Sequence, residues 1–140
     1  MPEFNMDRIR ELVSEVNIAI SKLERIKKMK EKDFLLDEEK VDSAKYNLIV
    51  STEGVIDISN HIIARRKGRA PLDYADTFNV LLEMGIICEK LAEKLKKMAK
   101  FRNLLVHLYW KVDNKRVFRI IKENLKDIKE FLNIILSENF

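Results

Sequence analysis

The sequence has few of the residues that interrupt helices or cross-link a chain. Among its 140 residues are 3 glycines, 2 prolines and 1 cysteine, and glutamine is absent. A single cysteine excludes a disulfide within the chain and any metal site built from several thiolates. No apolar run approaches the roughly 18 residues of a membrane span. The start, MPEFNMDRIR, lacks the apolar segment of a signal peptide. These absences predict a cytoplasmic protein without a membrane segment.

Scarce glycine and proline predict long helices, because these residues mark most turns. Hydrophobic residues make up 46% of the chain and charged residues 36%, which suits one domain with its own core. We assign that single domain to residues 6–140. Residues 1–5 are set aside as either a tag or a native start, because Glu3 and Phe4 are the pair that a common restriction site encodes.

Apolar residues spaced by three and four positions predict an all-α helical bundle. Gly54 lies within the apolar pattern of the second predicted helix, and we explain it by close packing against another helix. Gly68 is predicted to end that helix, Asp73 to cap the next one and Gly85 to mark a bend. Asn114 is the predicted cap of the last helix. The four long helices are predicted over residues 7–30, 37–65, 86–109 and 114–136, with one short helix over residues 74–84.

One arginine interrupts the apolar stripe of the helix predicted over residues 86–109. On a wheel of about 100° per residue, Arg102 projects from the centre of this stripe. A lone guanidinium there is strongly unfavourable unless it is paired or faces a polar cavity. Two interpretations follow: a core ion pair with Glu53 or Asp57, or a functional site. The predicted stripe contains Cys88, Leu91, Leu95, Met98, Leu105, Val106 and Tyr109.

The end of the same helix is apolar on its other side as well. Phe101, Leu104 and Leu108 form a second stripe where the upstream helix is polar. A helix end that is apolar all round is typical of burial on both sides. One side belongs to the bundle, so the other is predicted to contact a second copy of the chain in a homodimer. Arg102 and His107 lie about 140° apart on a straight helix, so a site that uses both needs a local bend, a long arginine reach or residues from two chains. The second apolar stripe favours two chains.

Arg102 and His107 are residue types that suit metal-free RNA cleavage. Arginine binds phosphate through its planar fork of donors, and histidine exchanges protons near neutral pH. One group would deprotonate the ribose 2′-OH for attack on its own phosphate, while a cation stabilises the phosphoryl oxygens. No metal-ligand cluster stands out, so a route without metal or cofactor is the simpler one. A surface or interface histidine is the alternative for His107.

The string RNLLVHLY, from Arg102 to Tyr109, matches Arg-x4-His-x-Tyr and resembles the signature of the HepT-like branch of the HEPN ribonucleases. The segment APLDYADTFNVLLEMGII is similar to that family's short helix before the motif helix. The resemblance covers nearly the whole chain from Met6. It implies a HEPN-like, homodimeric, metal-independent endoribonuclease that acts as the toxin of a toxin–antitoxin pair. By motif position, Arg102 and His107 of both chains would be catalytic in an RNA cleft, and Asn103 would support them.

The resemblance also implies a partner and a modification. The antitoxin of such a pair is a minimal nucleotidyltransferase, which can transfer AMP onto the motif tyrosine and so block the RNA cleft. Tyr109 occupies that position. Some relatives with this fold only bind nucleotides or act as scaffolds. Three classes of function stay open: a ribonuclease toxin, an inactive binding partner of a nucleotidyltransferase, and a plain helical dimerisation protein.

Basic residues outside the motif are candidate RNA contacts. The net charge of +4 permits a polyanionic partner without requiring one. Some of these residues approach the motif along its helix, and others cluster in the loop after the second helix. Ordinary solvation is the alternative for both groups. The RNA-binding candidates are Lys96 and Lys100 on the helix, and Arg65, Arg66, Lys67 and Arg69 in the loop.

Overall fold

The computed structural model describes residues 6–137, which form six α-helices, one 3-10 turn and no strand. The all-α prediction is therefore confirmed for this part of the chain. Residues 1–5, set aside as a tag or a native start, lie outside the described residues. The elements are α1 (Met6–Lys27), α2 (Glu31–Leu35), α3 (Glu38–Arg65), α4 (Tyr74–Glu83), α5 (Glu89–His107), the 3-10 turn (Tyr109–Lys111) and α6 (Asn114–Ser137).

Aspartates cap the starts of three helices. Asp37 accepts a hydrogen bond from the amide three residues further on and begins α3. Asp73 does the same for α4 at 2.7 Å, as predicted. For α6, the carboxylate of Asp113 accepts from the Lys115 amide at 2.9 Å. The prediction that Asn114 caps this helix is wrong, because Asp113 satisfies the amide and Asn114 already lies in the first turn.

Glycine positions explain how the helices approach each other. A Cβ on Gly54 would overlap Val16 Cγ2, so α1 and α3 pack closely there, as predicted. Gly85 has a φ of 75° and forms the predicted bend. The left-handed residue after α3 is Lys67 (φ 56°) rather than Gly68. Gly68 donates its amide to a carbonyl of α3, and a Cβ on Gly68 would lie 2.6 Å from a methionine sulfur.

The core consists of two apolar clusters, one at each end of the bundle. One cluster joins most of α1, the C-terminal half of α3, α4, the start of α5 and the end of α6. The second joins the end of α1, α2, the start of α3, the end of α5 and the start of α6. Phe34 of α2 is fully buried in the second cluster, with its ring centroid 5.0 Å from that of Phe118. The segment between the first two predicted helices, for which no helix was predicted, thus contains a helix of five residues.

The motif helix begins later than predicted. It starts at Glu89, and Cys88 precedes it as an exposed N-cap whose sulfur accepts from the Leu91 amide at 3.5 Å. The placement of Cys88 in the core stripe is therefore wrong. Ile86 and Ile87 lie in a non-helical segment after the bend, yet their side chains are buried. The apolar pattern therefore included them in the predicted helix. None of the helices described here is long and apolar enough to cross a membrane.

Candidate functional site

Arg102 is held on α5 by contacts to three other groups. Its Nε donates to Glu53 Oε1 at 2.9 Å, and Nη2 donates to the same oxygen. Nη1 donates to Asn103 Oδ1 at 3.0 Å, and the guanidinium carbon lies 5.0 Å from the ring centroid of Tyr74. The side chain is only 14% exposed. The predicted ion pair is confirmed with Glu53 as the partner instead of Asp57.

The guanidinium of Arg102 keeps capacity for another ligand. Arginine has five N–H donors, and the three bonds above engage three of them. Arg102 also lines a cavity of about 330 Å³ between α3, α5 and α6. Two of its five cations have carboxylate partners outside the lining, since Arg102 pairs with Glu53 and Lys94 pairs with Asp127 at 3.5 Å. The other three cations exceed the single lining carboxylate, Glu123, so the cavity favours an anion. Its charged residues are Lys94, Lys97, Arg102, Arg116, Arg119 and Glu123.

His107 is the last residue of α5 and is exposed. Because α5 is helical from Arg102 to His107, the two side chains project about 140° apart around the axis. One chain therefore does not place them on a common face. Asn103 lies four residues before His107 on the helix, but its side-chain oxygen accepts a hydrogen bond from Arg102 and not from His107.

Tyr109 is not on the motif helix. The helix ends at His107, Leu108 has a φ of −133°, and Tyr109 begins the 3-10 turn. The prediction that places Tyr109 in the same helical stripe as Arg102 is therefore wrong. The phenol of Tyr109 instead donates to Asp42 Oδ1 on α3 at 2.8 Å.

Two residues of α3 surround Tyr109. Lys45 is buried, donates its Nζ to the Tyr109 carbonyl at 3.1 Å, and lies 4.2 Å from the ring centroid. This amine fixes both the backbone and the ring of the turn. Partial burial and the hydrogen bond to Asp42 raise the pKa of Tyr109 to about 12. The phenol is consequently protonated at neutral pH.

Apolar side chains near the motif lie on the surface of the chain. Leu104, Val106 and Leu108 are exposed, and Trp110 is 76% exposed. Val106 therefore does not belong to the core stripe. Phe101, expected beside Leu104 and Leu108, is instead buried in the second core cluster. The residues left exposed form the surface where we place the predicted dimer contact.

Two of the predicted RNA contacts have structural partners within the chain. Lys96 bonds Asn79 at 3.1 Å and pairs with Glu93 at 2.7 Å. Arg69 forms two ion pairs, with Asp76 at 2.7 Å and Glu83 at 2.8 Å, which tie the loop to α4.

The Arg69 guanidinium also holds the pKa of Asp76 well below its usual range. The other candidates keep their positions on the surface. Arg65, Arg66 and Lys67 are exposed at the end of α3, and Lys100 is exposed on α5. Arg65 and Arg66 also have contacts within the chain.

The sequence interpretation missed residues that only the fold brings to the motif. Arg116 and Arg119 lie in the first turns of α6, soon after the motif in sequence but on the next helix, and they line the same cavity as Arg102. Their spacing of three residues was the available signal, because it places both on one side of a helix. Asp42 and Lys45 share this spacing on α3. Within residues 6–137, no group of three His, Cys, Asp or Glu side chains is arranged to hold a metal ion.

Known proteins resemble this chain in both sequence and fold. The profile of the family described as ribonuclease HepT-like matches residues 16–135. The mRNA nuclease HepT of Shewanella oneidensis is 33% identical over 97 residues, which are 69% of this chain and 73% of that protein. A crystal structure of a toxin–antitoxin with AMP-PNP aligns with a TM-score of 0.88 at 27% identity, covering 94% of this chain and 99% of that one.

A second solved structure contains a modified toxin. The tri-AMPylated Shewanella oneidensis HEPN toxin in complex with MNT antitoxin aligns with a TM-score of 0.86 at 27% identity, covering 99% of this chain and 100% of that one. The helical bundle with its motif at the end of α5 thus places the chain in the class of HEPN toxin-like proteins. Within that class, the chain belongs to the ribonuclease HepT-like family.

Proposed function

We propose that this protein is a metal-independent endoribonuclease that acts as the toxin of a toxin–antitoxin pair. Its antitoxin would be a nucleotidyltransferase that silences it by adenylylation of Tyr109. The mRNA nuclease and the toxin complexes among its relatives support this assignment. The main observation in its support is the environment of Arg102. Glu53 and Asn103 orient the guanidinium, which retains two N–H donors and faces a cationic cavity.

RNA cleavage would use Arg102 and His107 in complementary roles. His107 takes the proton of a ribose 2′-OH, whose oxygen attacks the adjacent phosphorus while the bond to the 5′-oxygen breaks. Arg102 donates to the phosphoryl oxygens, where negative charge accumulates. Its ion pair with Glu53 fixes the guanidinium in advance, so little reorganisation accompanies the reaction. Asn103 supports that orientation through its bond to Nη1.

The complete site would form between two chains. One chain directs Arg102 and His107 to different sides of α5, and the exposed apolar surface at Leu104 and Leu108 adjoins them. A twofold contact there brings the motif helices of both chains to one cleft. The cations Lys94, Lys97, Arg116 and Arg119 then extend the cleft toward the RNA backbone.

An inactive helical partner of a nucleotidyltransferase is the second candidate function. The ion pair between Arg102 and Glu53 favours it, because a guanidinium that already has a carboxylate partner can be purely structural. The two candidates predict different results with RNA. If the chain is an inactive partner, substitutions of Arg102 and His107 change only its stability.

A nuclease assay with matched variants tests the proposal. The wild-type chain should cleave single-stranded RNA, and His107→Ala and Arg102→Ala should each remove activity while the protein remains folded. Arg102→Lys keeps the charge but loses the planar fork, so it should recover little activity. Cleavage should persist in EDTA. Activity that disappears with EDTA and returns with a divalent ion contradicts the metal-free route, and activity retained in His107→Ala contradicts the assignment of the base.

A further inference from the structure

Tyr109 is directed at a carboxylate of its own chain. Its hydroxyl donates to Asp42 Oδ1 at 2.8 Å, across 67 residues of sequence. Asp42 lies on the exposed side of α3, so its carboxylate contacts both the phenol and solvent. The phenolic proton therefore already points to an acceptor that can pass it on to water.

Lys45 fixes this arrangement from the next turn of α3. Its buried amine bonds the Tyr109 carbonyl at 3.1 Å and lies over the ring, 4.2 Å from the centroid. These two contacts determine where the turn lies and which way the ring faces. The amine does not contact the phenolic oxygen, so its role is one of position.

The Asp42 carboxylate disfavours a free phenolate at Tyr109, but it can accept the phenolic proton during attack. Burial, the hydrogen bond to Asp42 and repulsion between a phenolate and that carboxylate together raise the pKa of Tyr109, so the phenol stays protonated near neutral pH. The neutral phenol is a weak nucleophile unless a base removes its proton during attack. Asp42 is within hydrogen-bond distance of that proton, which is the geometry a general base requires.

We propose that Asp42 is the general base for transfer of AMP to Tyr109, and that Lys45 is a positioning residue for the same step. This inference rests on the proposed function, in which a bound nucleotidyltransferase presents ATP. The Tyr109 oxygen attacks the α-phosphorus and a new O–P bond forms. The bond from that phosphorus to the bridging oxygen breaks, and pyrophosphate leaves. The phenolic proton moves to Asp42 Oδ1.

The chain would thus contribute a catalytic group to its own silencing. The transferase supplies the nucleotide and its activation, while the acceptor site supplies the base. A tyrosine without an adjacent carboxylate would be a poor acceptor even when it is equally exposed.

The test measures the rate of AMP addition to the full chain in complex with its cognate nucleotidyltransferase and ATP. Intact mass gives the adduct over time at several pH values. Asp42→Asn keeps the shape and an acceptor oxygen but cannot take the proton. Asp113→Asn is the matched control, because it makes the same change beside the same turn and asparagine caps a helix equally well. Tyr109→Phe identifies the acceptor.

We expect Asp42→Asn to lower kcat for AMP transfer by about 10²–10⁴-fold and to leave the KM for ATP unchanged. Its residual rate should rise about tenfold per pH unit, since hydroxide must replace the carboxylate. Asp42→Glu should recover part of the rate. Lys45→Met should be slower than wild type with the wild-type pH profile, as expected for a positioning residue.

Three results would overturn parts of the argument separately. If Asp42→Asn matches Asp113→Asn, the proton goes to the transferase and Asp42 is not the base. If Asp42→Asn is slower but keeps the wild-type pH profile, Asp42 only positions the phenol, which also contradicts the inference. If Tyr109→Phe accepts AMP at the wild-type rate, the acceptor in the proposed function is wrong, whatever Asp42 does.

Discussion

Glu53 of α3 and Arg102 of α5 form an ion pair between two helices, in which one carboxylate oxygen accepts from two guanidinium nitrogens. The pair explains how a charged residue lies on the core side of α5. It also orients the remaining donors of Arg102 before any ligand binds. Stability and the proposed activity would therefore be linked at this contact.

We expect Glu53→Gln to weaken both properties. The variant keeps an acceptor but loses the charge, which should lower the free energy of unfolding by about 1 kcal/mol, since Glu53 is well exposed. RNA cleavage should fall by about tenfold if the loss of orientation costs the transition state a similar amount. Asp57→Asn is the control, one turn further along α3. Thermal unfolding and cleavage rates that are equal in the two variants would contradict the role of Glu53.

Alkaline titration should detect the bond between Tyr109 and Asp42. The absorbance difference between wild type and Tyr109→Phe isolates this phenol, whose pKa is about 12 because of burial and the bond to Asp42. Asp42→Asn should lower that pKa.

The same shift makes stability depend on pH. Between about pH 10 and pH 12 the unfolded chain loses the phenolic proton that the folded chain keeps, so this stabilising contribution decreases as the pH rises through that range. Tyr109→Phe should lack this part of the alkaline destabilisation. An unfolding curve that varies with pH in the same way in both proteins would refute the shift.

The exposed apolar residues at the end of α5 should mediate a homodimer. Leu108→Glu places a charge in that surface, so light scattering at micromolar concentration should show half the wild-type mass. Ile18→Glu is the control, because Ile18 is 56% exposed on a different helix, α1. The interface is expected to bury more than about 1,000 Å². A wild-type chain that is monomeric under these conditions would rule out the dimer.

Gly54→Ala should destabilise the bundle, although alanine is the better helix former. The intrinsic gain is about 1 kcal/mol, whereas overpacking of a tight contact costs about 1–3 kcal/mol. The added Cβ would overlap Val16 of α1. Val16→Ala relieves the overlap, so the double variant should be more stable than the sum of the two single effects. Chemical denaturation of the four proteins measures this coupling. Strict additivity would mean that the contact with Val16 is not the reason for a glycine at position 54.

The amphipathic pattern predicted most of the helices because each of them buries one apolar side in the core. The prediction failed for segments that do not bury one regular apolar side of a helix. Ile86 and Ile87 are buried from a non-helical segment, which moved the predicted start of α5. Phe34 is the sole buried side chain of α2, too little for any periodicity. Phe101 was assigned to the outer stripe because a wheel does not distinguish between two apolar sides of one helix.

The site was predictable only where its signal is local. Arg102 stood out because a charge occupied the apolar stripe, and its pairing with Glu53 followed from the cost of leaving it alone. The contacts of Tyr109 with Asp42 and Lys45 join residues more than 60 positions apart. No periodicity within one helix contains that information, and the helix end at His107 redirects the tyrosine.

The two ion pairs of Arg69 have a consequence for proteolysis of the loop between α3 and α4. Trypsin must draw a basic side chain into a deep pocket, and Arg69 can enter only after it leaves Asp76 and Glu83. Lys67 lies two residues earlier and is exposed. Limited digestion should therefore nick this loop after Lys67 well before Arg69. The two fragments should stay together, since both core clusters contain residues from each side of the cut.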